Sequence, residues 1–397
     1  MASSVIENAQ IVEHDQVVGR SLAFVGGRVS PAATDALHID LADHLIIPGL
    51  INAHDHLQLN GIPPLEHATP FANSYAWIDA VEAHRRRPDV AAATAVPSAV
   101  RHWHGGLKNL MSGATTVAHH DPWHPTLDDP AFPVGVLRDF GWSHSLGLSR
   151  TLGDQPPRYG PPTRESFAET RAEHPWIMHV AEGTDAVAAG ELSQLDALGC
   201  LGPNTVLVHG VGLSHADVDL VIERGAAVVW CPASNLAMFG RTLDRQTVRR
   251  LFIAGRLALG SDSRLTGSRD LLSELRIAAA HSNLSPGDLL RLVTCAPSRI
   301  LRMPDHGGLK VGQRADCFVV RTGADAHTSS VGVARNEIRA VVRGGVPLIA
   351  DADFAEWFAH CGVDVAEVRL DGRRKLIARQ LVTPEAIALE PGLELLS

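Results

Sequence analysis

Histidine and aspartate side chains stand at the ends of several apolar segments, and these residue types can bind a transition metal. His54 and His56 lie two residues apart after one such segment, His179 and His209 end two others, and Asp262 follows a fourth. Residues two apart on an extended chain point to the same side, so the first two imidazoles can face one ion. Imidazole nitrogens and a carboxylate oxygen suit zinc or iron and leave one position for water. Each residue alone is more typical of a structural role, but their joint occurrence favours a metal site.

Other histidine pairs fit this site less well. His102 and His104 have the same spacing, but they lie in a predicted helix, where residues two apart diverge by about 200°. His119 and His120 precede Asp121 at the end of another predicted strand. Alternation along a strand lets only one of these two imidazoles face the interior, where it can contact substrate or hydrogen-bond to a metal ligand.

Apolar strand-like segments alternate with amphipathic helical segments, which is typical of repeated βα units around a parallel sheet. The clearest predicted strands span residues 45–51, 114–118, 176–180, 205–209, 226–231 and 257–260. Residues 134–150 must hold two more strands if eight are present. Helix starts carry caps at Ser214, with Asp217 three residues on, and at Ser285, followed by Pro286. Metal ligands at strand ends agree with a barrel, whose sites lie at the carboxyl ends of its strands.

The fold class predicted is therefore α/β: a TIM (β/α)8 barrel with a small β-sandwich domain built from N- and C-terminal segments. We expect the small domain in residues 1–47 and 307–350, and the barrel that carries the metal site in residues 48–306. Residues 351–397 form a C-terminal extension that reads as helical and then as a fraying tail. A barrel of about 250 residues with a smaller satellite accounts for a chain of 397 residues.

Composition excludes several other classes of protein. The chain is 45% hydrophobic and 20% charged, which is ordinary for a globular protein. A net charge of -9 without a long basic run argues against nucleic acid as a partner. Neither a secretory leader nor a membrane span is recognisable, so we expect a cytoplasmic protein without a membrane partner. Its five cysteines are scattered, which argues against a disulfide framework or a cysteine-based zinc site.

Five segments carry a family resemblance. PGLINAHDH, HVAEG, LVHG, VVWCPASN and LGSDS resemble, in order, the motifs of the chlorohydrolase and aminohydrolase branch of the amidohydrolase superfamily. That branch includes proteins similar to guanine deaminase, cytosine deaminase, adenosylhomocysteine deaminases and triazine hydrolases. The resemblance extends from the N-terminal β segment to Val346.

The resemblance implies a role for each matching residue. His54, His56, His179 and Asp262 become the metal ligands, with His209 orienting water or substrate and Glu182 acting as the proton shuttle. Residues 134–150 contain no lysine of the form that bridges two metals in this superfamily. We therefore expect one divalent metal per subunit, zinc before iron, and, by resemblance, a homodimer.

The function predicted is that of an aminohydrolase (deaminase). A metal lowers the pKa of its bound water, and that water attacks an amino-substituted carbon of a nitrogen heterocycle. Asp262 and His209 accept or steer the water's proton, while Glu182 protonates the ring nitrogen and then the leaving ammonia. The alternative is a cyclic amide hydrolase, or a hydrolase that removes another group from a heterocycle. A non-catalytic barrel is a third hypothesis, disfavoured because a scaffold need not retain the complete ligand set.

The substrate itself is less constrained. Gln58, His120 and Trp123 are candidate substrate contacts, and Trp77 and Phe239 are further aromatic candidates for the roof of the pocket. The segment containing Ser234 and Asn235 is expected to brace a loop rather than contact substrate. Asp55 stands where Thr or Asn is more familiar in the family, residues 57–61 lack the usual basic residue, and the stretch between strands two and five is short.

Overall fold

The computed structural model describes residues 2–13, 16–150, 156–323 and 331–396. Residues 324–330 of the predicted small domain lie outside this described part. No helix within it is both long and apolar enough to cross a membrane.

Two antiparallel-rich sheets contain the N- and C-terminal segments. One sheet consists of β1 (Ser4–Glu7), β4 (Leu22–Val25), β5 (Arg28–Ser30) and β6 (Leu37–Asp40). The other consists of β2 (Gln10–Glu13), β3 (Gln16–Gly19), β7 (His44–Pro48), β16 (Cys317–Arg321), β17 (Ala340–Arg343), β18 (Val346–Ala350), β19 (Val365–Leu370), β20 (Arg373–Ala378) and β21 (Leu393–Leu395). The antiparallel pairing of β7 with β16 joins the two ends of the chain in one sheet.

Parallel strands form the second part of the fold, in two sheets. The first contains β8 (Leu50–Asp55), β9 (Ala114–His119) and β10 (Gly135–Val136). The second contains β11 (Gly141–Ser145), β12 (Trp176–Val180), β13 (Thr205–His209), β14 (Ala227–Trp230) and β15 (Leu257–Leu259). Each sheet follows chain order, as in a βα barrel, but in the described residues no strand ladder joins β10 to β11 or β15 to β8. The α/β class with parallel strands is confirmed, whereas one continuous closed sheet is not seen.

Helices connect and cover these strands. They are α1 (Ser74–His84), α2 (Pro88–Ala95), α3 (Ser98–Met111), α4 (Thr163–Glu169), α5 (Ala186–Ala197), α6 (His215–Arg224), α7 (Pro232–Phe239), α8 (Arg245–Ile253), α9 (Leu271–His281), α10 (Pro286–Arg291), α11 (Cys295–Ile300), α12 (Ala355–His360) and α13 (Pro384–Ala388). Helix α6 shows how the local sequence determines where a helix begins and ends. Ser214 and Asp217 form a capping box, Val218 and Val221 are buried, and Gly225 at φ +74° ends the helix in the left-handed region.

Two predictions from the sequence, the strand at residues 45–51 and the fraying tail after residue 351, are wrong. The predicted strand at residues 45–51 is two strands, because β7 ends at Pro48 in the nine-stranded sheet and β8 begins at Leu50 in a parallel sheet. The described residues 351–396 do not form a fraying tail, because β19, β20 and β21 belong to the nine-stranded sheet. The two strands expected within residues 134–150 are present as β10 and β11.

Candidate metal centre and active site

The five predicted site residues at strand ends meet in one buried cluster. His54 Nε2 lies 3.3 Å from His179 Nε2 and 3.9 Å from the Oδ1 atom of Asp262. His56 Nε2 is 3.8 Å from that same oxygen. His209 belongs to the same group, because its ring nitrogen, with those of His54 and His179, falls within a span of 4.8 Å. Strands whose carboxyl ends share one edge have thus brought together residues more than 200 positions apart.

Hydrogen bonds orient three of the imidazoles in the same way. His56 Nδ1 lies 2.6 Å from Asp121 Oδ2, His179 Nδ1 2.9 Å from the carbonyl of His144, and His209 Nδ1 2.8 Å from Asn235 Oδ1. Each acceptor holds a proton on Nδ1, which leaves the Nε2 lone pair directed into the cluster. Neutral imidazoles presented through Nε2 are the form that binds a metal.

The donor set fits a divalent cation. Two nitrogens at about 2.05 Å from a tetrahedral metal lie about 3.3 Å apart, which equals the spacing of His54 Nε2 and His179 Nε2. Such a pair cannot form an ordinary hydrogen bond if both nitrogens carry lone pairs. The His54, His56 and Asp262 atoms also fall within 4.8 Å of one another. The site therefore contains the nitrogen and oxygen donors that a zinc-type ion requires.

Asp262 is held rigidly at the end of β15. Its Oδ2 atom accepts hydrogen bonds from Ser234 Oγ at 2.7 Å and Thr266 Oγ1 at 3.1 Å, and its Oδ1 atom accepts from the Ser263 amide at 2.6 Å. The residue has φ +53°, an uncommon conformation for a side chain other than glycine and one that occurs at functional sites. Although burial raises the pKa of Asp262, the facing His56 and His209 lower it below its ordinary value.

Glu182 lies beside the cluster, just after β12. The backbone turns sharply there, with Ala181 at φ +54°, and Glu191 Oε2 accepts the Ala181 amide at 2.7 Å. Glu182 Oε1 is 3.4 Å from His209 Nε2. Burial, strengthened by the charge of Asp262, raises the pKa of Glu182 to about 7, against the opposite effect of His179. A carboxyl group with this pKa can both give and take a proton near neutral pH.

A cavity of about 350 Å³ opens onto these groups. Its polar end contains His56, His179, Glu182, His209 and Asp262. Its lining also includes the apolar side chains of Leu59, Ile62, Trp77, Ile78, Val81 and Met238. A larger cavity of about 630 Å³ is lined by charged residues such as Arg138 and Arg302, but by none of the predicted metal ligands. The smaller cavity is the one that combines a ligand-sized space with reactive side chains.

The candidate substrate contacts divide into three cases. Gln58 lines the cavity, where its Nε2 donates to Asp121 Oδ2 at 2.7 Å. His120 is buried behind the cluster, its ring 4.5 Å from that of His179 and its Nε2 donating to the Ser143 carbonyl. Trp123 is 40% exposed and bonded to Asp128, and the structure does not bring it to this cavity. Of the two roof candidates, Trp77 lines the cavity and Phe239 packs in a neighbouring apolar cluster.

Other expectations for local contacts are met fully or in part. His102 and His104 diverge on α3, with His104 Nε2 2.9 Å from Glu390 and the His102 ring against His119. The prediction for Ser234 and Asn235 holds only in part: neither lines the cavity, but instead of bracing a loop they lie in α7, where Ser234 contacts Asp262 and Asn235 contacts His209.

Some residues of the site carry no clear sequence signal. Tyr159 donates to Asp121 Oδ1 at 2.5 Å, although it lies in a loop without a motif. His144 contributes its backbone carbonyl to His179 and its side chain to the cavity wall. Lys108 and Asp55 form a buried ion pair beside the metal ligands, with Nζ and Oδ2 3.1 Å apart. Only Asp121 had a usable signal, because it directly follows two histidines at a strand end.

Comparison with known proteins agrees with this geometry. Residues 163–348 match the model of the amidohydrolase family. The 5-methylthioadenosine/S-adenosylhomocysteine deaminase of Pyrococcus furiosus is 23% identical over 356 residues, covering 78% of this chain and 82% of that protein. The 8-oxoguanine deaminase of Pseudomonas aeruginosa is 24% identical over 366 residues, covering 75% and 79%.

Solved structures share the fold. An adenosine deaminase from Xanthomonas campestris with bound zinc has a TM-score of 0.69 and 20% identity, covering 91% of this chain and 97% of that one. A mutant atrazine chlorohydrolase from Arthrobacter aurescens, complexed with zinc and atraton, has a TM-score of 0.69 and 20% identity, covering 90% and 99%. Residues 163–348 thus carry the amidohydrolase family match, and about three quarters of the chain is similar in sequence to these two deaminases.

Proposed function

We propose that this protein is a metal-dependent aminohydrolase that removes ammonia from an amino-substituted nitrogen heterocycle. The observation that carries the proposal is Glu182, a buried carboxyl group with a pKa of about 7, which shares a cavity with His56, His179, His209 and Asp262 of the candidate metal cluster. The deaminases named above, related over three quarters of the chain, support the same reaction.

One zinc ion per subunit is the proposed cofactor, held by His54, His56, His179 and Asp262. Bound there, a divalent metal supplies a water whose pKa is lowered towards about 7. Zinc is favoured over iron because related structures contain it.

Glu182 is the proposed proton carrier. Its protonated carboxyl group delivers a proton to the ring nitrogen next to the carbon under attack, and the resulting carboxylate takes up a proton from the water. Glu182 passes that proton to the amino group and takes up the remaining proton of the new hydroxyl group, so ammonia leaves, the carbon becomes a carbonyl and Glu182 is protonated again. A pKa near the working pH makes both directions of transfer accessible.

His209 and Asp262 are the proposed partners of Glu182. The Nδ1 atom of His209 donates to Asn235, so its Nε2 is an acceptor directed towards Glu182 and the cavity. Asp262, with its lowered pKa, stays ionised and presents Oδ1 to the cluster. Together the two residues orient the attacking water and steer its proton towards Glu182.

The test is a Glu182→Gln variant assayed for metal content and ammonia release over aminopurines, aminopyrimidines, aminotriazines and pterins. We expect full metal content and a loss of turnover of about 10²- to 10⁴-fold. Glu274→Gln is the matched control, because Glu274 is also a buried carboxyl with a raised pKa but does not line the cavity. A fully active E182Q would overturn the role of Glu182. Hydrolysis without ammonia in the wild type would favour a cyclic amide or another leaving group.

We also propose the larger organisation that the fold predicts. The two parallel sheets form one (β/α)8 barrel within residues 48–306. The sheets of residues 1–47 and 307–350, extended by β19, β20 and β21 of the C-terminal segment, pack as a small β-sandwich. A homodimer and a cytoplasmic location complete the proposal. Sedimentation at micromolar concentration tests the dimer, and a monomer there would contradict it.

A further inference from the structure

Strands β8 and β15 lie next to each other, and the predicted metal ligands stand at their carboxyl ends. In the described residues no strand ladder joins these two strands, and we call the boundary between them the seam. One backbone hydrogen bond crosses it, from the Asp262 amide to the His54 carbonyl at 3.0 Å. The strands are close, because a Cβ on Gly260 would lie 2.7 Å from His54 Cβ. Since His54 and His56 lie on one side and Asp262 on the other, the seam determines the spacing of these ligands.

Lys108 forms hydrogen bonds with residues on both sides of this seam. It is fully buried on α3, and its Nζ atom donates to Asp55 Oδ2 at 3.1 Å, Ser261 Oγ at 3.1 Å and the Asp262 carbonyl at 3.2 Å. An ammonium group has three donors, and these three acceptors use them all. Asp55 stands between His54 and His56 in the chain, so Lys108 is tied directly to both sides of the metal site.

Two asparagines complete the connection. Asn52 Oδ1 accepts the Ser261 amide at 3.0 Å, and Asn52 Nδ2 donates to Ser261 Oγ at 2.8 Å. Asn109 Nδ2 donates to Asp55 Oδ2 at 2.8 Å. Side chains thus replace, at this seam, the backbone ladder that joins neighbouring strands within each sheet.

We propose that the Lys108–Asp55 pair is a seam clasp, a positioning pair that holds β8 and β15 at the separation the metal requires. The clasp rests on the proposed metal site but adds a role for two residues that do not face the cavity. Without Lys108, the Asp262 carbonyl and Ser261 lose their shared donor, and Asp55 is left as a buried charge without its cation. The ligands on the two sides can then drift apart, so the protein should bind metal less tightly.

The experiment measures zinc affinity of the full chain by competition with a chromophoric chelator. Lys108→Met should weaken zinc binding by about 10- to 100-fold, the range found when supporting contacts of metal ligands are removed. Lys375→Met is the matched control, because Lys375 is equally buried and pairs with Asp351 on the nine-stranded sheet, away from the metal site. K375M should lose stability but keep zinc affinity within about threefold.

Milder variants keep the test decisive if K108M does not fold. Ser261→Ala removes the shared oxygen of the clasp without removing a charge, and Ser298→Ala removes a buried hydroxyl bonded elsewhere, to Met303 and His306 carbonyls. We expect weaker zinc binding in S261A alone. Equal zinc affinity in the wild type, K108M and S261A would overturn the clasp while leaving the proposed function intact. A wild type that cannot be loaded with zinc would overturn the proposed function, and the clasp with it.

Discussion

Replacing Asp121 with Asn isolates the contribution of one charge to the metal site. Asp121 Oδ2 accepts from His56 Nδ1 at 2.6 Å and from Gln58 at 2.7 Å, while Oδ1 accepts from Tyr159 at 2.5 Å. An asparagine can keep its amide oxygen towards His56 and Gln58 and turn its NH2 group to the tyrosine oxygen. The variant therefore changes the charge and preserves the shape and the hydrogen bonds.

The magnitude follows from the separation of the charges. Two unit charges about 4 Å apart interact by about 4 kcal/mol at an effective dielectric constant of about 20. A bound metal places only part of its charge on His56, so the loss should be smaller than this full interaction. We expect D121N to weaken the free energy of zinc binding by about 1.4 to 2.7 kcal/mol, which is a 10- to 100-fold loss of zinc affinity. Lowered turnover at limiting zinc, recovered by excess zinc, should accompany it.

The assay is zinc competition at pH 7 with folding checked by circular dichroism. Tyr159→Phe is the control, because it removes one donor to Asp121 and keeps the charge; its zinc affinity should change by less than about threefold. If D121N binds zinc within about twofold of the wild type, the carboxylate does not support His56 and the reasoning fails.

The remaining predictions concern stability and the pocket. Burial raises the pKa of Glu274 from 4.5 to about 8, so the folded state holds this proton more tightly and the free energy of unfolding falls as pH rises between these values; E274Q should flatten that decline in urea titrations. Tyr75→Phe removes the donor to Glu191 Oε1 and the acceptor of the Gly147 amide, and should cost about 1 to 3 kcal/mol in the free energy of unfolding, measured by urea unfolding. Trp123→Ala should leave kcat/KM within about twofold, because Trp123 lies outside the cavity; a tenfold loss would restore it as a substrate contact.

The sequence was sufficient for features that depend on short-range geometry. His54 and His56 face one centre because residues two apart on a strand share a side, and His102 and His104 diverge because two residues on a helix do not. Caps such as Ser214 mark helix starts by hydrogen bonds within one turn. The motif series predicted a resemblance to the amidohydrolase family, which the family match over residues 163–348 and the related deaminases confirm.

Rules of local spacing could not predict which strands, far apart in the sequence, pair with one another. The apolar run at residues 45–51 has the same buried pattern throughout, so nothing in it reveals that its two halves join different sheets. The strands after residue 351 read as a tail because their partners lie elsewhere in the chain, and Glu390 reaches His104 across 286 positions.

The sequence by itself determined which residues can bind a metal and move a proton, because those properties belong to the side chains and their local spacing. Only the tertiary structure decided that Glu182 is buried enough for its pKa to rise, that Asp121 supports His56, and that Lys108 crosses the seam beside Asp262. Burial and charge pairing depend on which strands and helices lie next to one another. That arrangement is set by the packing of the whole chain.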